Sequence, residues 1–527
     1  MVPDGPPFRD APAPVSLRSA APERPDSAQH VEREAVLALQ RRILPTTLPV
    51  LPHVRLAARY GLAHAVTRGG GDWFDAAVTD GGLVALVAGD VVGHGPAAVA
   101  AMAELRAVLR AGLLADPARP GHRFGRRDVG TALAAAVAAL DGHAARDRRT
   151  RAATVAAALL DPATGEVVYT ACGHPPPLLC GLGRARPLPP TGGGPLGIGA
   201  GPHAVRGARL APGQSLLLYT DGLVERPGCP LADGIARIGR AAAATGPDPE
   251  RLCDAVLDAL PGGGLTDDVA VVAATRRVAP VPPVTAEIPA EAGELAGLRS
   301  ILTDWLGALD VTADGHTAVP LVVSELVSNA VQHAYRDGPP GRVRLHAALD
   351  GRGGARVTVA DTGRWRPPVP GRTGRAGGFG LAVARDLSDS VDIATGSGGT
   401  TVTVVCPLAH PVAVGAAAPV RRLGAVAHPD LTTVERPGAR GVLVVRGPVD
   451  EGTVGTLRQA LAQGTAGGTV PAVLDLAGVT ILASAGVRLL HELAALPAPP
   501  RILAPAGSVS RHVLALTGLG HLVDEPS

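Results

Sequence analysis

The sequence predicts a multidomain α+β protein: a large layered domain, then an α/β sandwich, then a small α/β domain. Three observations lead there. The chain has 527 residues, too many for one ordinary core, so about three domains are expected. Two stretches rich in Pro and small residues divide it, VAPVPPV at 278–284 and a longer one at about 409–438. The grammar of strand-like and helix-like runs also changes at each of them.

Residues 1–30 are rich in Pro, Ala and Asp and are expected to be disordered. Val36, Leu39 and Ile43 then fall at helical spacing, and Pro45 stops the run, so 31–50 reads as a helix leading into the first domain. That helix either packs on its own domain or serves dimerisation or signal transmission. The first domain, 51–276, carries the strand-like runs LVALVAGD, ATVAAALLD, EVVYTACG, SLLLYTDG and DVAVVAA, with Ala-rich helices near 96–114 and 129–145. Helices do not separate these strands one by one, which favours α+β layering over a doubly wound sheet. The second domain, 285–408, reads as two helices followed by strands GRVRLHAAL, ARVTVAD and TTVTVVCPL around a glycine-rich segment. After the 409–438 linker, 439–527 alternates strand and helix as βαβαβα.

Composition narrows the function classes. Apolar residues make up 46% and charged ones 18%, a globular balance, while 2% aromatics leave the cores to Ala, Val and Leu. All 49 basic residues are Arg, and a net charge of +2 argues against nucleic acid as a partner. The five Cys are scattered without a CxxC pair, as expected of reduced thiols. The N-terminus MVPDGPPFRDAPAP lacks a signal-peptide pattern, and no apolar run reaches the roughly 18 residues of a membrane span. A soluble, cytoplasmic protein with no membrane partner is expected.

Four acidic segments of the first domain carry the chemistry: GGGDWFD (Asp72, Asp75), AGDVVGHG (Asp90), LYTDGL (Asp221) and LTDDVAVV (Asp267, Asp268). Taken singly, an Asp-Gly is a turn. Taken together, each carboxylate ends a strand or enters a glycine turn, which sets it on a sheet rim where the backbone can approach an ion. Several carboxylates on one rim suit hard divalent cations such as Mg²⁺ or Mn²⁺. Two such ions can activate water for in-line attack on phosphorus. His94 and His174 are read as supports for turns, since a two-metal site needs no histidine nucleophile.

With ACGHPPPLL, GGPLGIG and LYTDGLVER, these segments resemble the sporulation (SpoIIE) branch of the metal-dependent PPM serine/threonine phosphatases over 51–276. The resemblance implies an αββα sandwich with two Mn²⁺ or Mg²⁺ ions between the sheets and hydrolysis without a covalent intermediate. It implies Asp90 bridging both ions, the Val91 carbonyl and Asp72 on one of them, and Asp221 and Asp267 on the other. Asp268 ranks below these as a ligand.

In SELVSNAVQHA, Glu325, Asn329 and His333 recur at i, i+4 and i+8, on one helix face. VTVADTG (Asp361, Gly363) ends a strand, and Gly377, Gly378 and Gly380 precede a helix, a setting that can cradle phosphates. Together these segments resemble the GHKL ATPase fold in its anti-sigma-factor serine-kinase form. The resemblance implies ATP and Mg²⁺ as ligands, Asp361 on the adenine, Asn329 on Mg²⁺ and Glu325 as the base. Pro320 falls early in the helix carrying Glu325, where a start or kink is expected. The third domain resembles STAS domains, the anti-sigma-factor antagonists, in which the serine matching Ser484 is phosphorylated; from spacing alone Ser484 is a helix N-cap. Ala483 stands where an acidic residue often precedes that serine.

The three resemblances imply a phosphatase acting on a phosphorylated STAS-type antagonist in a partner-switching circuit with an anti-sigma or sigma factor. Its own Ser484 is one candidate substrate, phosphorylated by the second domain and dephosphorylated by the first. The alternative is an inactive scaffold that sequesters such factors, and the intact acidic set favours catalysis.

Overall fold

The computed structural model describes residues 38–62, 70–115, 126–181, 183–199, 203–226, 229–260, 265, 267–335, 339, 341–364, 379–414, 431–435, 442–464, 473–496 and 499–524. The expected disordered N-terminus, the first half of the leading helix, Gly377 and Gly378 lie outside these residues.

A short helix, α1, runs over 38–43. The first domain then uses β1 (Thr47–Pro49), β2 (Val54–Gly61), β3 (Trp73–Val78), β4 (Val84–Asp90), β5 (Thr154–Leu160), β6 (Glu166–Cys172), β7 (Leu178–Gly181), β8 (Arg184–Pro187), β9 (Arg206–Arg209), β10 (Ser215–Tyr219) and β11 (Val269–Arg276). Two sheets form: β3-β4-β5-β6-β9 and β2-β11-β10-β7-β8. Helices α2 (Pro96–Leu114) and α3 (Arg126–Ala144) cover the first sheet, while α4 (Leu231–Ala243) and α5 (Pro249–Asp258) cover the second. The order of layers is αββα. Small residues allow it: Ala156, Ala157 and Ala158 are fully packed inside β5, and the buried face of α2 repeats as Ala98, Met102, Leu105, Leu109 and Leu113.

The second domain is an antiparallel sheet of β12 (Val284–Pro289), β13 (Arg342–Leu349), β14 (Gly354–Asp361), β15 (Ser390–Gly396) and β16 (Gly399–Pro407), ordered β12-β13-β14-β16-β15. One face is covered by α6 (Leu295–Leu309), α7 (Ala313–Asn329) and α8 (Phe379–Asp386). Alternation along β13, with Val343, Leu345 and Ala347 inward, is that of a one-sided sheet.

Pro320 does not start α7; it lies in the interior of the helix. The missing N–H breaks one helical bond, and the Ser324 hydroxyl bonds back to the Pro320 carbonyl at 2.7 Å. Burial of Val319, Leu321, Val322 and Val323 around it outweighs that loss. Beyond Asn329 the turn is a π-helix over Ala330–Ala334, so His333 does not continue the α-helical phase of Glu325 and Asn329.

The segment read as a linker at 409–438 also differs. Strand β17 (Ala409–Pro411) pairs with β1, and β18 (Ala413–Val414) runs parallel to β2, extending the phosphatase-like sheet to β18-β2-β11-β10-β7-β8. Strand β19 (Thr432–Glu435) opens the third sheet, followed by β20 (Val442–Val449), β21 (Val473–Leu482), β22 (Arg501–Leu503) and β23 (Val523–Asp524). Apart from β19 this sheet is parallel, with α9 (Val454–Gly464), α10 (Ser484–Ala494) and α11 (Val509–Leu516) on it. Among the described residues no helix is long and apolar enough to cross a membrane.

The first two domains meet through buried polar groups. Arg59 of β2 pairs with Glu250 of α5, and the other Glu250 oxygen meets His410 Nε2 at 2.7 Å. His410 Nδ1 in turn contacts the Asp310 carbonyl at 2.7 Å, and Arg55 holds the Asp310 carboxylate at 2.9 Å. Burial alone would push Glu250 up, but His410 and Arg59 outweigh it and hold the carboxyl below its ordinary range. Removing His410 strands a buried carboxylate oxygen, at a cost of about 1–3 kcal/mol. We therefore expect H410A to lower the first urea-unfolding midpoint of the full chain, while H512A, at a 57% exposed side chain, leaves it unchanged.

Candidate functional site

Asp90 ends β4, Asp72 immediately precedes β3, and Asp221 follows β10, so strands from both sheets deliver carboxylates to one end of the sandwich. Asp72, Asp90 and Asp221 each offer an oxygen, and these lie within 4.8 Å of one another. Close backbone approach makes this possible. A Cβ at Gly71 would collide with the Val91 carbonyl oxygen, and one at Gly222 with the carbonyl of Asp268. The Val91 amide donates to the Gly71 carbonyl at 3.2 Å, fastening the Asp90 turn to the Asp72 turn. Thr220 donates its hydroxyl to Asp72 Oδ2 at 2.8 Å and accepts from the Ala270 amide at 2.8 Å.

The electrostatics follow from burial and like charge. Burial first, then Asp90 and Asp221, hold the Asp72 carboxyl well above its ordinary range. Asp90 is pushed up to about 7 by burial and by Asp221, while its hydrogen bond with Asp72 works the other way. Asp221 is raised by burial, then by Glu225 and Asp267. Oxygen-only ligands with such charge crowding suit a hard divalent cation, so these residues fit the Mn²⁺ or Mg²⁺ that the fold implies.

Asp267 lies outside the cluster, exposed, with Oδ1 accepting from the Asp268 amide at 2.9 Å, though its charge is felt by Asp90 and Asp221. Asp268 is turned inward instead: its Oδ2 accepts from Tyr60 at 2.8 Å, from the Gly70 amide at 2.9 Å and from Gln40 at 3.1 Å. Asp75 departs from the site altogether. It alternates with Phe74 along β3 and faces α2, where Arg110 holds it at 2.7 Å and Arg106 at 3.3 Å. His94 is exposed and bridges its backbone to Gly70. His174 is buried, bonded to Thr154 at 2.7 Å and to the Tyr219 carbonyl at 3.0 Å, and burial pushes it down to about 4, so it braces both sheets as a neutral ring.

In the second domain Glu325 and Asn329 lie one turn apart on α7, facing Gly380 in the first turn of α8. A Cβ at Gly380 would collide with Glu325 Oε2. Asp361 ends β14, accepts from the Gly363 amide at 2.9 Å, and is raised by burial. Among the described residues the buried hydroxyls of Ser328 and Thr400 and Glu325 Oε2 have no hydrogen-bond partner. Thr400 adjoins Asp361 across the β14–β16 register, so unpaired polar atoms line the expected nucleotide site, and the residues fit a nucleotide.

Ser484 is not an N-cap. Ala483 takes that position, and Ser484 is the first residue of α10. Its backbone N–H donates to Glu325 Oε1. Burial raises Glu325, and the proximity of Ser484 opposes the shift. Around this contact Arg299 pairs with Asp450, Gln332 and Arg488 both donate to Glu451, and Leu321 and Val383 of the second domain pack into the core of the third. Sequence reasoning missed Thr220, Tyr60 and Gln40. Thr220 had a signal, being next to the Asp221 turn; the other two had none.

Comparison with known proteins agrees with this architecture. The family model for Stage II sporulation protein E (SpoIIE) matches residues 80–277, that for the histidine kinase-like ATPase domain matches 288–406, and that for the Mlab, STAS domain matches 432–524. An anti-sigma F factor of Halalkalibacterium halodurans is 41% identical over 59 residues, and one of Heyndrickxia coagulans is 32% identical over 98 residues. These matches cover 11% and 17% of this chain, and 40% and 67% of the respective relatives. The crystal structure of the RsbU and RsbW domains of a Mycobacterium tuberculosis protein superposes with a TM-score of 0.60 at 35% identity, covering 71% of this chain and 99% of that one. The chain therefore belongs to the SpoIIE family of PPM-type phosphatases, in a form that carries a histidine-kinase-like ATPase domain and a STAS domain on the same polypeptide.

Proposed function

We propose that the chain is a metal-dependent protein-serine phosphatase of a cytoplasmic partner-switching circuit, acting on a phosphorylated STAS-type antagonist and answering to an anti-sigma or sigma factor. The observation that carries this is the cluster of Asp72, Asp90 and Asp221, whose oxygens share one 4.8 Å space. Asp72, Asp90, Asp221 and the Val91 carbonyl would hold the cations, with Asp267, exposed beside the cluster, as a further ligand. Bound there, divalent cations activate water and offset the charge of the phosphoryl oxygens. The protein's part is to hold the carboxylates aimed at one space. Thr220 fixes Asp72, the Gly71–Val91 contact fixes Asp90, and buried His174 stays out of proton transfer.

A second activity is favoured by one specific contact, that of Glu325 with Ser484. ATP and Mg²⁺ would be held by Asn329, Asp361, Gly363 and the glycines up to Gly380. The ATP would supply a γ-phosphoryl group to the Ser484 hydroxyl, with Glu325 as the base for its proton and ADP as the leaving group. Burial raises this carboxyl above its ordinary range, which makes it a stronger base for that transfer. Ser484 then becomes the phosphoserine that the first domain hydrolyses, in cis or in trans.

Three outcomes are expected. Mn²⁺-dependent hydrolysis of a generic phosphoester should fall at least about 100-fold in D90N; equal rates would return the chain to a scaffold. Mass spectrometry after incubation with ATP should find phosphate on Ser484 in D90N but not in the D90N/E325Q double variant, and an unmodified Ser484 throughout excludes the kinase reading. Metal-free protein should lose stability as pH rises from about 4 toward 7. The folded state holds the Asp90 proton that the unfolded chain has released, so the slope approaches about 1.4 kcal/mol per pH unit. Thermal melts in chelator should show this slope flattened in D90N and removed by Mn²⁺.

A further inference from the structure

Asp268 touches the segments that carry Asp72, Asp221 and Asp267. Its Oδ2 binds the Gly70 amide, two residues before Asp72; its carbonyl packs on Gly222, one residue after Asp221; its amide binds the Asp267 carboxylate. Fixing Asp268 fixes all three. Tyr60 does so from β2, and its hydroxyl also reaches the Asp72 carbonyl at 3.2 Å. The remaining named donor comes from outside both sheets: Gln40 of α1 bonds Asp268 Oδ2, the Tyr60 oxygen and, at 3.4 Å, the Gly70 carbonyl.

Gln40 is 1% exposed, and its Oε1 has no hydrogen-bond partner among the described residues. A buried amide with one unpaired end costs stability that a Leu or Met of similar volume would not. As core filling it is a poor residue; as a donor to Asp268 and Tyr60 it has a use. The helix is anchored at its other end as well, since Arg106 Nη1 of α2 donates to the Ile43 carbonyl at 2.7 Å.

We infer that Gln40 is a positioning residue for the cation centre, setting cation affinity through Asp268 without touching a cation itself. The inference rests on the reading of Asp72, Asp90 and Asp221 as cation ligands. Loss of such an outer partner weakens metal binding by about 10–100-fold in comparable sites. The test is a Mn²⁺ titration of the full chain, counting free ion by electron paramagnetic resonance, with wild type, Q40M and Q40E. Q40M keeps the volume and removes the donor, so its apparent Kd for Mn²⁺ should rise at least about tenfold. Hydrolysis at limiting Mn²⁺ should fall in step and recover at saturating Mn²⁺, while the metal-free melting temperature does not drop. Q40E, which sets a carboxylate against Asp268, should weaken binding further. If Q40M fails to fold, Y60F removes the neighbouring donor in the same network and should shift Kd in the same direction. Wild-type binding with a folded Q40M within twofold of it overturns the inference alone. A wild-type chain that binds no Mn²⁺ overturns the cation reading and the inference with it.

Discussion

Three carboxylates share a space 4.8 Å across in a largely buried setting, and much of the first domain is arranged to hold them there. Two unit charges at that separation repel by about 3 kcal/mol at the effective dielectric of a protein site, and three charges make three such pairs. A loop able to relax would move its acid into water. None of these three can. Asp90 is carried on a strand whose residues are packed on both faces, Asp72 is pinned between Gly71 and Trp73, and Asp221 opens a turn against the Asp268 backbone. The Ala- and Val-rich sheets supply the rigidity, and a divalent cation bound there would supply the charge that relieves the repulsion.

The junction of the second and third domains answers a similar problem with a different solution. Glu325 is fully buried, and a buried carboxylate needs donors. The described hydrogen bond to Oε1 comes from the third domain, through the amide of Ser484. Arg299 with Asp450, and Glu451 with Gln332 and Arg488, fix the approach of α10 to α7. Because both domains lie on one chain, this contact forms at an effective concentration set by the connecting segment and not by cellular abundance. Any outside protein docking on that face would compete with this intramolecular contact.

Much of this was legible in the sequence because the determinants are local. A strand ending in Asp beside Gly reads the same in a line of text as in three dimensions, so Asp72, Asp90 and Asp221 could be named before their distances were known. Asp75 shows where that grammar fails: three residues from Asp72 in the same motif, it points to the opposite face, and strand alternation decides which acid reaches the rim. Gln40 and Tyr60 carry no signal, since their use depends on where Asp268 comes to rest 228 and 208 residues later. The strands at 409–411 and 413–414 were hidden for a related reason. Their sequence is linker-like, and they become strands because β1 and the edge of β2 offer unpaired backbone groups.

That last pairing has a consequence for how the domains depend on one another. Ala413 lies opposite Arg59 and Val414 opposite Tyr60, so the chain leaving the second domain covers the edge of β2. Successive residues of a strand point to opposite faces. Arg59 therefore turns to α5, Glu250 and His410 at the domain junction, while Tyr60 turns between the sheets to Asp268 beside the acidic cluster. One strand thus bears both the seam with the ATPase domain and the frame of the phosphatase centre. The same seam reaches α7, because the amide of Thr312, its N-cap, donates to the Ala409 carbonyl at 2.8 Å. The helix carrying Glu325 and Asn329 and the strand carrying Tyr60 are consequently fastened to a single short segment, 409–414. A displacement of that segment cannot act on one centre without loading the other.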